Sequence, residues 1–305
     1  MDFRLTDDQR QILDALDKLA DTFDDIANDF HGFALVRPDL REALAEGGFF
    51  DIAGFEELGP LPASMAVERI AQLPCTAEVA LSMLVSPLIA DVGYDPIALV
   101  RPGQAGRFVD SAKWLLVVDA TRYGLIEAAV ADVTSVESIY AYPMGRAKDL
   151  AQVTWLEDSL TAPIDARLKL AIAAELVGLM AAAQAATIEH ISVRKQFGRE
   201  LGTFQALRHR MAECRVQIGG ARWLMLKAAA TGDPGDAALA LFHAQDAGTR
   251  LCYEVHQMMG AMGMTLEMSL HLWTYRIKAL LSDMGGRGVQ AEAVLEQCFG
   301  GVNVV

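Results

Sequence analysis

The chain has 305 residues, about two domains' worth at ~150 residues each, and 52% hydrophobic with 22% charged residues is the composition of a packed globular protein. That excludes disordered, collagen-like and low-complexity chains. With 7% aromatic residues and an apolar total dominated by Ala, Leu, Val and Met, helices are favoured over a β-sandwich. A formal charge of −14 argues against a nucleic-acid partner, whose phosphates need a basic face.

Thr6-Asp7-Asp8-Gln9 has capping-box spacing and predicts a helix with Ile12, Leu13, Leu16, Leu19 and Phe23 on one face. Pro38-Asp39 opens a second helix closed by Gly47-Gly48, Pro62 or Ala63 a third running to about residue 73, and a further helix is predicted over 76–90. Asp21, Asp24, Asp25 and Asp29 lack the glycine and ligand spacing of a calcium loop and read as a solvated acidic face. Residues 1–92 thus form a helical domain. Over 93–160 the texture changes to short runs rich in Val, Ile, Tyr and Trp, with strands predicted at 114–118, 128–133 and 136–142 and turns at 119–124 and 143–145. This β module is too short for a doubly wound nucleotide-binding domain. From 161 to 305 helices are predicted at 167–193, 205–231, 236–259 and 265–284, with breaks at 198–202, 232–235, 260–263 and 285–286. The fold class is mainly α with a small β module, ending in a C-terminal four-helix bundle.

Cys75, Cys214, Cys252 and Cys298 form no C-x-x-C, so neither a disulfide framework nor a zinc site is expected, and a reducing, cytoplasmic setting is the expectation. The first ten residues are charged and carry no signal-type apolar run. The longest apolar stretch, 168–186, contains Lys169, Glu175 and Gln184 and reads as a helix buried in protein, so no membrane span is expected. The six histidines (His31, His190, His209, His243, His256, His271) show no metal-site spacing and read as helix-face residues. Met258, Met259, Met262, Met264 and Met268 read as core or interface packing.

One segment breaks the acidic average. Over 194–222, seven basic residues (Arg194, Lys195, Arg199, Arg208, Arg210, Arg215, Arg222) stand against Glu200 and Glu213, a local +5 that leaves −19 for the rest. Such an island is either a salt-bridged face or a site for a phosphate-bearing ligand. Within it, residues 194–209 read Arg-Lys-Gln-Phe-Gly-Arg-Glu-Leu-Gly-Thr-Phe-Gln-Ala-Leu-Arg-His, and residues 257–265 read Gln-Met-Met-Gly-Ala-Met-Gly-Met-Thr. The first closely resembles the R-K-Q-F-G-x-x-[IL]-x-x-F-Q-x-[ILV]-x-H signature of the acyl-CoA dehydrogenase family, and the second its Q-x-x-G-G-x-G-[YF]-T turn. The helix, β, helix order also matches.

The resemblance implies FAD held between subunits. Arg194, Phe204 and Gln205 would reach the pyrophosphate and neighbouring ring atoms, with Gln196 and Phe197 also cofactor-binding, and Gln257, Gly260 and Ala261 would line the adenosine end, largely of flavin carried by the neighbouring subunit. A guanidinium matches a pyrophosphate bidentately, and a glycine turn lets backbone N–H groups approach an anion.

Two departures qualify it. The family's reaction removes a proton next to a thioester carbonyl, so it needs a carboxylate base. Where the family places a glutamate after the Tyr-Arg of the last helix, this chain has Gly285; at the alternative location it has Ala166. Asp165 and Asp283 lie one and two residues away, but each helical step turns a side chain by ~100°. Their ordinary roles are a helix N-cap for Asp165 and a polar residue before a glycine turn for Asp283. In addition, the middle module lacks the family's flavin-pocket strand and turn, Trp114-Leu115-Leu116 being the nearest to its W-I-[TS] strand.

Together, the motifs and the departures predict a non-catalytic, oxidoreductase-family subunit, inactive alone. It would share FAD with a longer catalytic acyl-CoA dehydrogenase subunit in an α2β2 heterotetramer acting on a bulky, steroid-type CoA ester. An electron-transferring flavoprotein would accept the electrons. The alternatives are an active homo-oligomer using another carboxylate, and a flavin-free structural paralogue.

Overall fold

The computed structural model describes residues 4–26, 33 and 35–300. Asp29 and His31 lie outside the described residues. Helix α1 (Asp7–Asp21) starts at the predicted capping box: Thr6 Oγ1 accepts from the Gln9 backbone N–H at 3.2 Å and Gln9 Oε1 accepts from the Thr6 N–H at 3.1 Å. Asp17 and Asp21 on its outer face both pair with Arg69. Helices α2 (Pro38–Glu46) and α3 (Pro60–Ala71) each begin on a proline, whose missing N–H costs nothing at a helix start.

The helix predicted over 76–90 is shorter than expected. Thr76 is instead extended, bridging in parallel to Val36, and α4 is confined to Ala80–Leu84. The Glu78 carboxylate takes the Ser82 N–H at 3.2 Å, and Pro87 falls in the following 3-10 turn.

The β module contains two sheets. Strands β1 (Ile97–Val100), β3 (Trp114–Asp119), β4 (Arg122–Glu127) and β7 (Thr154–Trp155) form one in the order β1-β3-β4-β7, with β1 parallel to β3. Strands β2 (Gly106–Arg107), β5 (Val133–Ser135) and β6 (Met144–Ala147) form the other in the order β2-β6-β5. Three sequence expectations are corrected. The turn predicted over 119–124 is only Ala120-Thr121, and Arg122 already pairs with Asp119. Ala128–Val130 is a 3-10 turn because alanine contributes little to a pleated surface. Residues 136–142 form no strand; Pro143 follows them, and pairing resumes at Met144.

Helices α5 (Thr161–Val193), α6 (Gln205–Thr231), α7 (Pro234–Met259) and α8 (His271–Leu280) form the bundle. A short hairpin, β8 (Lys195–Gln196) with β9 (Arg199–Glu200), joins α5 to α6. The chain then adds α9 (Gly286–Phe299), packed on α7, so the predicted four-helix bundle gains a fifth helix. Helix α8 is also shorter than predicted, because 265–270 are bends and turns, so that regular α-helix begins only at His271 and ends at Leu280.

Helix α5 is the axis of the molecule, touching α3, α4, α6, α7 and α8. It is apolar on all sides, which fits a helix surrounded by protein. It is long and apolar enough to cross a membrane by composition, yet 72% of its most apolar window is buried inside the protein. Its closest approach is at Gly178, where an added Cβ would fall on the Glu68 carbonyl oxygen and lie 2.8 Å from Ala71 Cβ. Gly178→Val is therefore expected to lose ~1–3 kcal/mol of stability, read from the urea midpoint at constant slope, because neither backbone can retreat without unpacking α3 from α5. Met258 and Met259 are buried in this core, whereas Met264 is 71% exposed.

Candidate functional site

The first motif forms the end of α5, the hairpin and the start of α6. Arg194 is the C-cap of α5, its carbonyl accepting from Leu201 N–H at 2.8 Å. The turn Phe197-Gly198 has both φ values positive, 53° and 82°, as a two-residue hairpin requires. It projects Phe197, 89% exposed, edge-on to Phe204 at 6.1 Å between ring centroids, and Arg199 lies over the Phe204 ring at 4.0 Å. Phe204 and Gln205 open α6.

The structure divides the basic island. Arg222 pairs with Glu68 at 2.7 Å and Arg210 with Glu254 at 2.6 Å, so these two serve internal contacts. Burial pushes the Glu68 carboxyl up and Arg222 opposes that shift. Arg208 donates to the Gly202 carbonyl at 2.6 Å and braces the hairpin. Arg194 and Arg199 have no carboxylate within ion-pair distance among the described residues, and Arg194 is exposed.

The second motif forms a groove of about 560 Å³. Tyr253 and Gln257, one turn apart on α7, and Gly260 and Ala261 in the 3-10 turn line it together with Tyr275 and Lys278 of α8. Lys278 is exposed, lies 5.7 Å from the Tyr275 ring centroid and has no carboxylate partner among the described residues. The groove therefore offers an amide, a glycine turn, two aromatic rings and an ammonium, a donor set suited to a nucleotide anion. No first-motif residue lines it. Neither Lys278 nor Tyr253 belongs to a motif, and the sequence signalled neither.

Around Gly285 the geometry is different. Gly285 has φ +86°, and a Cβ there would lie 2.7 Å from Val289 Cγ2. Asp283 accepts from Arg107 Nη2 and Nε at 3.0 and 3.2 Å. The same guanidinium donates through Nη1 to Glu175 at 3.1 and 3.3 Å, and Tyr142 donates its hydroxyl to Glu175 at 2.5 Å. Burial pushes the Tyr142 hydroxyl well up, with Glu175 adding to the shift. This cluster borders a cavity of only about 70 Å³ between α4, β1, β2 and α5. Neither Arg107 nor Glu175 carries a functional signal in the sequence.

Asp165 is not the predicted N-cap. Helix α5 begins four residues earlier at Thr161, so Asp165 is inside it, paired with Lys169 Nζ at 2.6 Å and accepting from the Tyr123 hydroxyl at 3.1 Å. Ala166 is buried in the same turn at 7% exposure. No group of three or more His, Cys, Asp and Glu side chains that could hold a metal occurs among the described residues. Burial raises the Cys252 thiol to about 12 and the Cys214 thiol to about 11, leaving both protonated at neutral pH.

Residues 166–299, which form the helical bundle, match the family model for the acyl-CoA dehydrogenase C-terminal domain. Acyl-CoA dehydrogenase IpdE2 of Mycobacterium tuberculosis is 37% identical over 105 residues, 34% of this chain and 33% of its own length, so the match spans about a third of that relative. The ChsE4-ChsE5 complex from Mycobacterium tuberculosis has a chain that superposes with a TM-score of 0.74 at 19% identity, covering 99% of this chain and 100% of that one. The Tcur3481-Tcur3483 steroid ACAD gives 0.76 at 19% identity, covering 95% and 98%. At such identity these two show the fold alone.

Proposed function

We propose that this chain is the non-catalytic subunit of a heteromeric, FAD-dependent acyl-CoA dehydrogenase. It completes the cofactor site of a longer catalytic partner in an α2β2 assembly. The observation that carries the reading is the environment of residue 285. Where the resemblance places the base there is a glycine in a left-handed conformation, and the carboxylate nearest in sequence, Asp283, is held by Arg107, which also binds Glu175. Asp165 is similarly engaged with Lys169. A general base must reach the proton it removes, and neither aspartate is free to do so.

The donor set suits FAD at its edge. Arg194, Phe204 and Gln205 would meet the pyrophosphate and ring end, with Gln196 and Phe197 alongside. Gln257, Gly260, Ala261 and Lys278 would hold the adenosine end. When bound, the flavin supplies the hydride acceptor for α,β-desaturation of a CoA thioester, and this chain's residues bind and orient it. A bulky, steroid-type acyl group is favoured because a steroid ACAD complex is among the structural neighbours. The electron acceptor is then an electron-transferring flavoprotein, and the compartment cytoplasmic.

The purified chain with thioester and a dye acceptor is expected to show no turnover. Asp165→Asn and Asp283→Asn in the assembled complex are expected to leave kcat unchanged. Turnover by the chain alone, abolished by either change, would overturn the reading in favour of an active homo-oligomer. Gly285→Glu is expected to confer no activity and to cost ~1–2 kcal/mol, since a side chain is forced into the left-handed region against Val289.

A further inference from the structure

The groove's glycine turn has a brace that no motif explains. His256, half-buried on the last turn of α7, places Nδ1 2.8 Å from the Gly263 carbonyl oxygen and Nε2 3.2 Å from Thr274 Oγ1 on α8. A carbonyl oxygen only accepts, so Nδ1 carries the proton and donates to Gly263. In the neutral ring Nε2 is then an acceptor, and it shares the single Thr274 hydroxyl proton with the Leu270 carbonyl, each 3.2 Å from Thr274 Oγ1. Burial lowers the His256 pKa, the Gly263 hydrogen bond opposes that shift, and Lys278 on α8 is the charged group that adds to it. One imidazole thus ties three elements: α7, the 260–264 turn and α8.

We infer that His256 is a positioning residue for the nucleotide groove. By pinning the Gly263 carbonyl it fixes the Gly260–Met264 turn, so that the turn's backbone and the adjacent Gln257 side chain are preset before a nucleotide anion arrives. This rests on the reading that the groove meets the partner's flavin nucleotide. Preorganisation matters here because, beyond its end-to-end backbone hydrogen bonds and the buried Gly263, few side chains hold the turn. It lies between α7 and α8, Ala261 and Met264 are exposed, and its other described side-chain hydrogen bond is local, from Thr265 Oγ1 to the Met262 carbonyl. Ordering such a segment on binding would weaken affinity.

The test uses His256→Leu, His256→Gln and Thr274→Val in the full chain, alone and coexpressed with a full-length dehydrogenase chain. Glutamine can donate to Gly263 and accept from Thr274 as histidine does; leucine can do neither. Amide hydrogen exchange over 260–265 in the chain alone is expected to speed up about tenfold in His256→Leu, the loss of one net hydrogen bond, and to stay near wild type in His256→Gln. In the complex, FAD titrated by fluorescence quenching is expected to bind His256→Leu about tenfold more weakly, with glutamine rescuing it. Thr274→Val tests the brace from its other end if His256→Leu does not fold, and is expected to move exchange in the same direction. Unchanged exchange and flavin affinity in folded His256→Leu, or failure of glutamine to rescue, would overturn the inference. The exchange readout needs no flavin, so a wild-type complex that bound none would defeat the cofactor reading and leave the role of His256 to be decided by exchange alone.

Discussion

Arg107→Met is expected to cost about 3–5 kcal/mol of folding stability, because it leaves Glu175 without its counter-charge inside the protein and releases Asp283. The guanidinium is the common partner of two carboxylates from elements far apart in the chain, and its plane also lies over the Tyr142 ring at 4.8 Å. Deleting it therefore unpicks the β module from α5 and from the turn that opens α9. The companion Arg107→Met/Glu175→Met change is expected to recover only part of the loss, since it removes the buried Glu175 charge together with its counter-charge but leaves Asp283 and the Tyr142 hydroxyl without these partners. Urea unfolding followed by circular dichroism separates the cases. A single variant as stable as wild type would mean that the cluster does not hold these elements together.

The second large effect is on the cofactor. Arg194→Ala in the coexpressed complex is expected to weaken FAD binding about 10–100-fold, because a hydrogen bond to a charged group is worth ~1.5–3 kcal/mol. Arg194 is exposed and has no carboxylate partner among the described residues, so its charge is available to a ligand. Arg210, in the same basic island, is already paired with Glu254, and Arg210→Ala is expected to leave flavin affinity within about twofold of wild type. Equal losses in the two variants would mean that the island acts through its summed charge and not through Arg194.

Much of the fold is legible in local patterns. The capping box at Thr6, the prolines at 38 and 234 and the glycine breaks bound their helices within a few residues, because caps and turns are decided by neighbouring residues. Helix α9 escapes such a reading because the double glycine at 285–286 looks like an end, whereas here Gly285 occupies the N-cap and the helix restarts. The start of strand β4 is hidden because Ala120-Thr121 carries no glycine or asparagine to mark a two-residue turn.

The candidate site divides in the same way. Its two motifs are contiguous in sequence and can be read as such. The Arg107 cluster cannot: its contacts to Glu175 and Asp283 span 68 and 176 residues, and no local spacing encodes them. His256 looks like any helix-face histidine because its partners belong to the following turn and helix.

The flavin content of the purified complex tests the central claim most directly. This chain, coexpressed with a full-length acyl-CoA dehydrogenase chain that carries the glutamate, should copurify with it as a yellow heterotetramer, and the flavin absorbance should correspond to one FAD per pair of unlike chains. A homotetramer of this chain alone with one FAD per chain and activity on an acyl-CoA would contradict the account.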